Sequence, residues 1–182
     1  MPNAGKSLGV YITTSNPDTM NDASLYAPGE LGQTFDYNDR TYQIVQVDSG
    51  CVAANGVGVP AANDVLWWKD KSKYLVTNDW RQAFTVAGGG TAPSNNAVAG
   101  ILRNAATAGY YIAMLVRGRN IAVADDGSCG VGELVIASNT ASQAQASGIA
   151  AGTAATHKTI GICRTTSSAN VAYVDVDVPE VP

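Results

Sequence analysis

With 182 residues, the chain can form one domain with a real core, or two small lobes sharing one. Apolar residues make up an ordinary 46 %, but only 14 % are charged, against roughly 25 % in an average soluble protein. The net charge of −4 works against duplex nucleic acid as a partner, and no run approaches the roughly 20 apolar residues that span a bilayer.

Residues 1–33 lack sustained periodicity and are broken by Asn16-Pro17-Asp18 and Ala27-Pro28-Gly29. They read as an extended arm with one short strand at Leu8–Thr14, ordered by whatever it lies on. Behind Lys6 there is no apolar segment of the kind a signal peptide needs, so none is expected.

The β signals begin at Thr34. Phe35–Tyr37 and Arg40–Val47 flank Asn38-Asp39, a pair tolerant of positive φ, which predicts a hairpin. Within Thr41–Val47, Tyr42/Ile44 and Val45/Val47 fall on opposite faces, so both faces should be at least partly covered. Asp64–Lys69 and Tyr74–Thr77 flank Asp70-Lys-Ser-Lys73 as a second hairpin, and Ala87–Ser94 reads as a loop.

Two later stretches echo one another. Val98-Ala-Gly-Ile-Leu-Arg-Asn-Ala-Ala-Thr-Ala-Gly-Tyr110 is matched by Thr159-Ile-Gly-Ile-Cys-Arg-Thr-Thr-Ser-Ser-Ala-Asn-Val171, keeping Gly100/Gly161, Ile101/Ile162, Arg103/Arg164 and Ala108/Ala169 in step. Each copy reads as a short strand, a small polar turn and an apolar exit strand, Tyr110–Arg117 or Val171–Val178. Ile112–Arg117, Asn120–Ala124, Glu133–Ala137, Ile160–Arg164 and Ala172–Val178 complete the strands, with Asp125-Asp126-Gly127 as a tight turn. The Ala-rich Ser142–Thr156 contains Gly148 and Gly152, each costing about 1 kcal/mol inside a helix, so a loop or short turn is expected. The tail 178–182 should be extended and exposed.

The fold class that follows is all-β: an antiparallel β-barrel or sandwich with an internally duplicated strand–turn–strand unit and an extended N-terminal arm. Residues 34–182 form the β domain, in two related halves at about 34–118 and 119–182.

The chemistry-bearing residues are sparse. Pro2-Asn-Ala-Gly-Lys-Ser7 looks like the end of a phosphate-binding loop but lacks the preceding strand and the earlier glycine, so nucleotide binding is not expected. His157 is the only histidine, and Cys163 lies six residues away with a strand between them. That pair is the sole basis for an enzyme reading, so no catalytic residues are assigned. No clustered Cys and His offer a zinc site, Asp125-Asp126-Gly127 lacks an alternating acidic loop, and no cofactor is expected. Cys51, Cys129 and Cys163, odd in number and far apart, fit reduced thiols of a protein made in a cytoplasm, with one disulfide left open.

Adjacent aromatics stand out instead. Trp67 and Trp68 should point to opposite faces of a strand, one filling a core and the other facing outward or into an interface. Tyr110 and Tyr111 repeat the pattern. On a charge-poor surface these four residues are candidate anchors for protein contact, beside the simpler reading of two well-filled cores.

At this point the residues carry a likeness. Gly109-Tyr-Tyr-Ile-Ala-Met-Leu-Val-Arg-Gly-Arg119, then Asn120–Ala124, Val131-Gly-Glu-Leu-Val-Ile-Ala137 and Ile160–Val171, resembles head decoration (capsid cement) proteins of tailed bacteriophages. Pro28–Thr34 followed by Tyr42–Gln46 resembles the opening segment of such proteins, and the likeness spans roughly residues 28–178. It implies a virion protein on the outer capsid surface, synthesised in the host cytoplasm, bound to the major capsid protein and commonly a homotrimer. The family offers no catalytic motif to carry over. Exposed Trp and Tyr with Asp-rich turns leave a second expectation, a carbohydrate-binding β-module of the head-fibre or adhesin type.

Overall fold

The computed structural model describes residues 17, 26, 28–49, 60–79, 98–138, 143–150 and 159–178. The strand expected at Leu8–Thr14, the Pro2–Ser7 motif, Cys51, the 87–94 loop, His157 and the 179–182 tail lie outside them. Among the described residues ten strands follow in order: β1 (Thr34–Tyr37), β2 (Arg40–Val47), β3 (Val65–Asp70), β4 (Leu75–Thr77), β5 (Val98–Leu102), β6 (Tyr111–Ala124), β7 (Glu133–Ala137), β8 (Ala144–Ala150), β9 (Gly161–Cys163) and β10 (Val171–Asp177).

The fold is a barrel with additional strands. β2, β4, β3, β5 and β6 close on themselves, because β6 pairs with β5 and, through Thr41–Gln46, with β2. Closure is mixed rather than wholly antiparallel: Gln46 and Val47 of β2 pair in parallel with Leu75 and Val76 of β4. Five strands in antiparallel alternation cannot close, since an odd ring must contain one parallel neighbour. The β1–β2 hairpin turns at Asn38 (φ 48°) and Asp39 (φ 59°), the left-handed pair that matches strand twist. The ladder continues backward out of the arm, with Gly32 N–H donating to Ile44 O and Ile44 N–H to Gln33 O. The β3–β4 turn is a 3-10 turn, Lys71–Lys73, capped by the Asp70 carboxylate, which accepts from Ser72 N–H.

The pairing pattern then repeats. β7 and β8 form an antiparallel hairpin, β7 pairs with β9, β9 with β10, and β10 with the second half of β6. A parallel bridge between Asp125, just past β6, and Ala144 of β8 brings this ring back to its start. The second half of β6 thus stands where β2 stands in the first unit, and β8, β7, β9 and β10 stand where β4, β3, β5 and β6 stand. The duplication extends beyond the two echoed hairpins to a whole five-strand unit, closed by a ladder in the first copy and by one bridge in the second. Register is not conserved with it. Ile101 stands opposite Leu115, whereas Ile162 stands opposite Asp175, one residue short of the matching position.

Two expected strands, Ile112–Arg117 and Asn120–Ala124, are a single strand. It continues through a bulge at Arg119-Asn120, where Asn120 takes φ 52° and its N–H donates to Asp175 Oδ1 at 2.9 Å. β6 therefore runs through both units. The loop expected within Ser142–Thr156 is also corrected, since Ala144–Ala150 is β8. Pairing with β7 and the bridge to Asp125 supply a partner on each side, and that tertiary pairing overrides the poor strand propensity of Ala and Gly.

Two apolar clusters hold the body together. One draws on all five strands of the first ring, with Val45, Leu66, Trp68, Val76, Leu102 and Met114 among its members, and fills that barrel. The other joins the outer wall of the barrel, with Val65, Trp67, Ile101 and Leu115, to the inner face of the second unit, with Ile121, Val123, Val135, Ile160 and Val174. The wall between them is buried on both faces, as the two-sided apolar pattern of β2 implied.

Candidate functional site

The four aromatic candidates divide. Trp67 and Trp68 do point to opposite faces, but each face is a core: Trp67 is fully buried in the shared cluster and Trp68 is 7 % exposed inside the barrel. The expectation that one indole faces outward is corrected. The second unit covers the barrel wall that would otherwise have been surface. Trp68 meets Tyr74 edge-on with ring centroids 6.4 Å apart, while the buried Trp67 indole N–H has no hydrogen-bond partner among the described residues.

Tyr110 and Tyr111 sit at the rim of the first barrel. Tyr110 is 40 % exposed and Tyr111 half-buried. Their backbone is rigidly held, because Val47 N–H donates to Tyr110 O, Gly109 N–H donates to Val47 O and Gln46 Nε2 donates to Gly109 O. Val131 and Tyr173 are also exposed, and the sequence reading missed both. The alternation of β10 could have marked Tyr173, which shares its outward face with Asp175 and Asp177. Tyr173 pairs with Ala122 near the far end of β6, roughly 35 Å from Tyr111 at a strand rise of about 3.3 Å per residue. The two exposed tyrosines therefore lie toward opposite ends of β6.

Between them runs a charged outer face. Arg117 pairs with Asp177 at 3.1 Å, and both Arg164 Nε and Nη2 reach Asp175 Oδ2, at 2.8 and 2.5 Å. The Arg164 contact holds the Asp175 carboxyl below the usual range. Beside it, Asp36, Tyr37, Asn38, Asp39, Thr41 and Arg119 line an open cleft of about 540 Å³. The Asp36 carboxylate there accepts from Thr41 Oγ1 at 2.7 Å.

Each unit also places an aspartate where its ring closes, Asp48 buried in the first and Asp126 exposed in the second. Asp48 follows β2, donates its N–H to Val76 O and pairs with Lys69 Nζ at 2.5 Å. Asp126 donates its N–H to Ala144 O in the second unit, and its carboxylate accepts from Ser138 Oγ. The neighbouring Asp125 is fully buried and accepts from Cys129 N–H and Ser167 Oγ. A second echo marks these places, Asp48-Ser-Gly-Cys51 and Asp126-Gly-Ser-Cys129, a signal short enough to escape notice without the strand map. Cys129 and Cys163 are free and buried. Burial, together with the Asp125 carboxylate at Cys129, pushes both thiols up.

Among the described residues no three His, Cys, Asp or Glu side chains gather as a metal-ligand group, and no helix is long and apolar enough to cross a membrane. No protein-family model matches the sequence, and no curated protein matches it either.

Proposed function

We propose that the protein is a structural virion component that binds the outer surface of a phage head and stabilises it as a decoration or cement protein, acting as a homotrimer on the major capsid protein. The resemblance over residues 28–178 supports this reading, and Tyr110 is the observation that carries it. A large aromatic side chain stands exposed on a backbone locked into a closed barrel, within a charge-poor sequence. A rigid aromatic anchor loses little side-chain freedom on contact, which is why such residues dominate protein interfaces. Two units sharing β6 suit a brace, because force along that strand passes from the barrel to the second unit without crossing a linker. Many equivalent sites on a head make modest contacts effective.

Co-sedimentation with undecorated heads tests the proposal. The wild-type protein should pellet with heads, and Tyr110→Ala should remain folded but bind roughly tenfold or more weakly, as for a truncated anchor. A wild-type protein that stays in the supernatant contradicts it.

The cleft favours one other reading, a carbohydrate-binding module. Asp36, Asn38 and Asp39 offer acceptors and a donor for sugar hydroxyls, with Arg119 able to meet an acidic sugar. A glycan array probed with and without chelator separates the two. Selective sugar binding that Arg119→Ala abolishes would favour the module.

A further inference from the structure

We infer that Cys129 and Cys163 form an oxidation site: under a two-electron oxidant they close an intramolecular disulfide that ties the turn after β6 to β9. Both thiols are buried, at 1 % and 0 % exposure, in the same apolar cluster. The segments that carry them are tied together by two backbone hydrogen bonds, Ser167 N–H to Cys129 O at 2.8 Å and Gly132 N–H to Cys163 O at 2.9 Å. Cys163 Sγ donates to Thr165 O at 2.9 Å, and the Cys129 side chain is among the groups that act on the Cys163 thiol.

The duplication makes this pair particular to the second unit. Cys129 has a counterpart in Cys51, but the residue echoing Cys163 is Leu102, an apolar side chain in the barrel core. The first unit therefore has no second thiol to meet. The second unit, whose ring closes through a single bridge at Asp125, carries both thiols.

Hydrogen peroxide is small enough to reach a buried sulfur. The Cys163 thiolate attacks the peroxide O–O bond and becomes a sulfenic acid, and the departing hydroxide takes up a proton as water. Cys129 sulfur then attacks Cys163 sulfur. The S–O bond breaks, and the second hydroxide leaves as water with the Cys129 proton, which Asp125 is placed to relay. Two thiols are oxidised by two electrons in total, and one peroxide is reduced to two waters. Because both thiols resist ionisation, the reaction should be slow at neutral pH and faster in mild alkali.

The test uses the full-length, reduced, folded protein and a Cys51→Ser variant, each treated with dilute hydrogen peroxide in mild alkali and digested without reductant. A peptide pair linked through Cys129 and Cys163, short of two hydrogens and cleaved by dithiothreitol, is expected in both proteins. Thermal midpoints should rise by roughly 5–10 °C, the usual scale for a disulfide in a chain of this size. Cys163→Val, which keeps an apolar side chain, should show neither change, while the mapping on the wild type stands whether or not that variant folds. A link through Cys51 overturns the inference, as do unlinked sulfinic acids at both sites or thiols left fully reduced.

Discussion

Gly100 and Gly161 occupy matching places in the two units, and each lets a neighbouring strand approach where no side chain fits. A Cβ on Gly100 would lie 2.5 Å from Leu115 O, and one on Gly161 would strike Asp175 O. Both clashes are with backbone, which cannot swing aside. Gly100→Ala and Gly161→Ala should each destabilise the protein by about 1–3 kcal/mol, the range for overpacking a filled core. Chemical denaturation of the two variants checks this, and an unchanged midpoint in either would remove the reason for that glycine.

Lys69 and Asp48 form a close charged contact in the first barrel, with the Asp48 side chain 9 % exposed and that of Lys69 35 %. Lys69→Ala leaves the carboxylate buried without its cation. Breaking a fully buried pair costs about 3–5 kcal/mol, and the solvent that reaches Lys69 lowers the expected loss to about 2 kcal/mol. Asp48→Asn combined with Lys69→Met should recover part of it, which a double-mutant cycle measures.

The β9–β10 turn carries an avoidable strain. Ala169 (φ 51°) and Asn170 (φ 59°) form a left-handed pair between Ser168 and Val171, and alanine pays for that conformation through its Cβ. Ala169→Asn should raise stability by about 0.5–1 kcal/mol, read as a higher denaturation midpoint. A loss of stability would show that the turn depends on alanine for some other contact.

Tyr26 gives the fold an alkaline limit. Burial, reinforced by Glu30, pushes its phenol from 10.0 up to about 12. Because the folded value lies above the unfolded one, the neutral phenol stabilises the fold fully below pH 10. That contribution disappears as pH rises through about 12. Ultraviolet titration should find one tyrosine ionising near 12 that is missing from Tyr26→Phe, and the variant should lose less stability between those pH values.

Much of this architecture is legible in the sequence because strand signals are local. The Asn38-Asp39 turn, the Asp70–Lys73 turn and the alternation of Val174, Val176 and their outward neighbours each announce themselves within a few residues. The features that escaped depend on distant partners. β8 is a strand only because β7 and Asp125 flank it. Trp67 and Trp68 are both buried because the second unit packs on the wall of the first, and no window around residue 67 carries that fact. The bulge at Asn120 depends on the Asp175 carboxylate, 55 residues away. Of the four aromatic candidates, only Tyr110 and Tyr111 reach the surface. The Arg119 cleft joins the β1–β2 hairpin to a residue about 80 positions later, whereas the alternation of β10 already marks Tyr173 as outward.

Cryo-electron microscopy of undecorated heads incubated with the purified protein reads binding to the capsid surface without an intermediary. Added density is expected at a repeated symmetric position on the outer capsid surface, three copies to a cluster, each fitted by the closed barrel and the second β unit sharing one long strand, with Tyr110 at a protein contact. Bare heads at saturating protein concentration would contradict it.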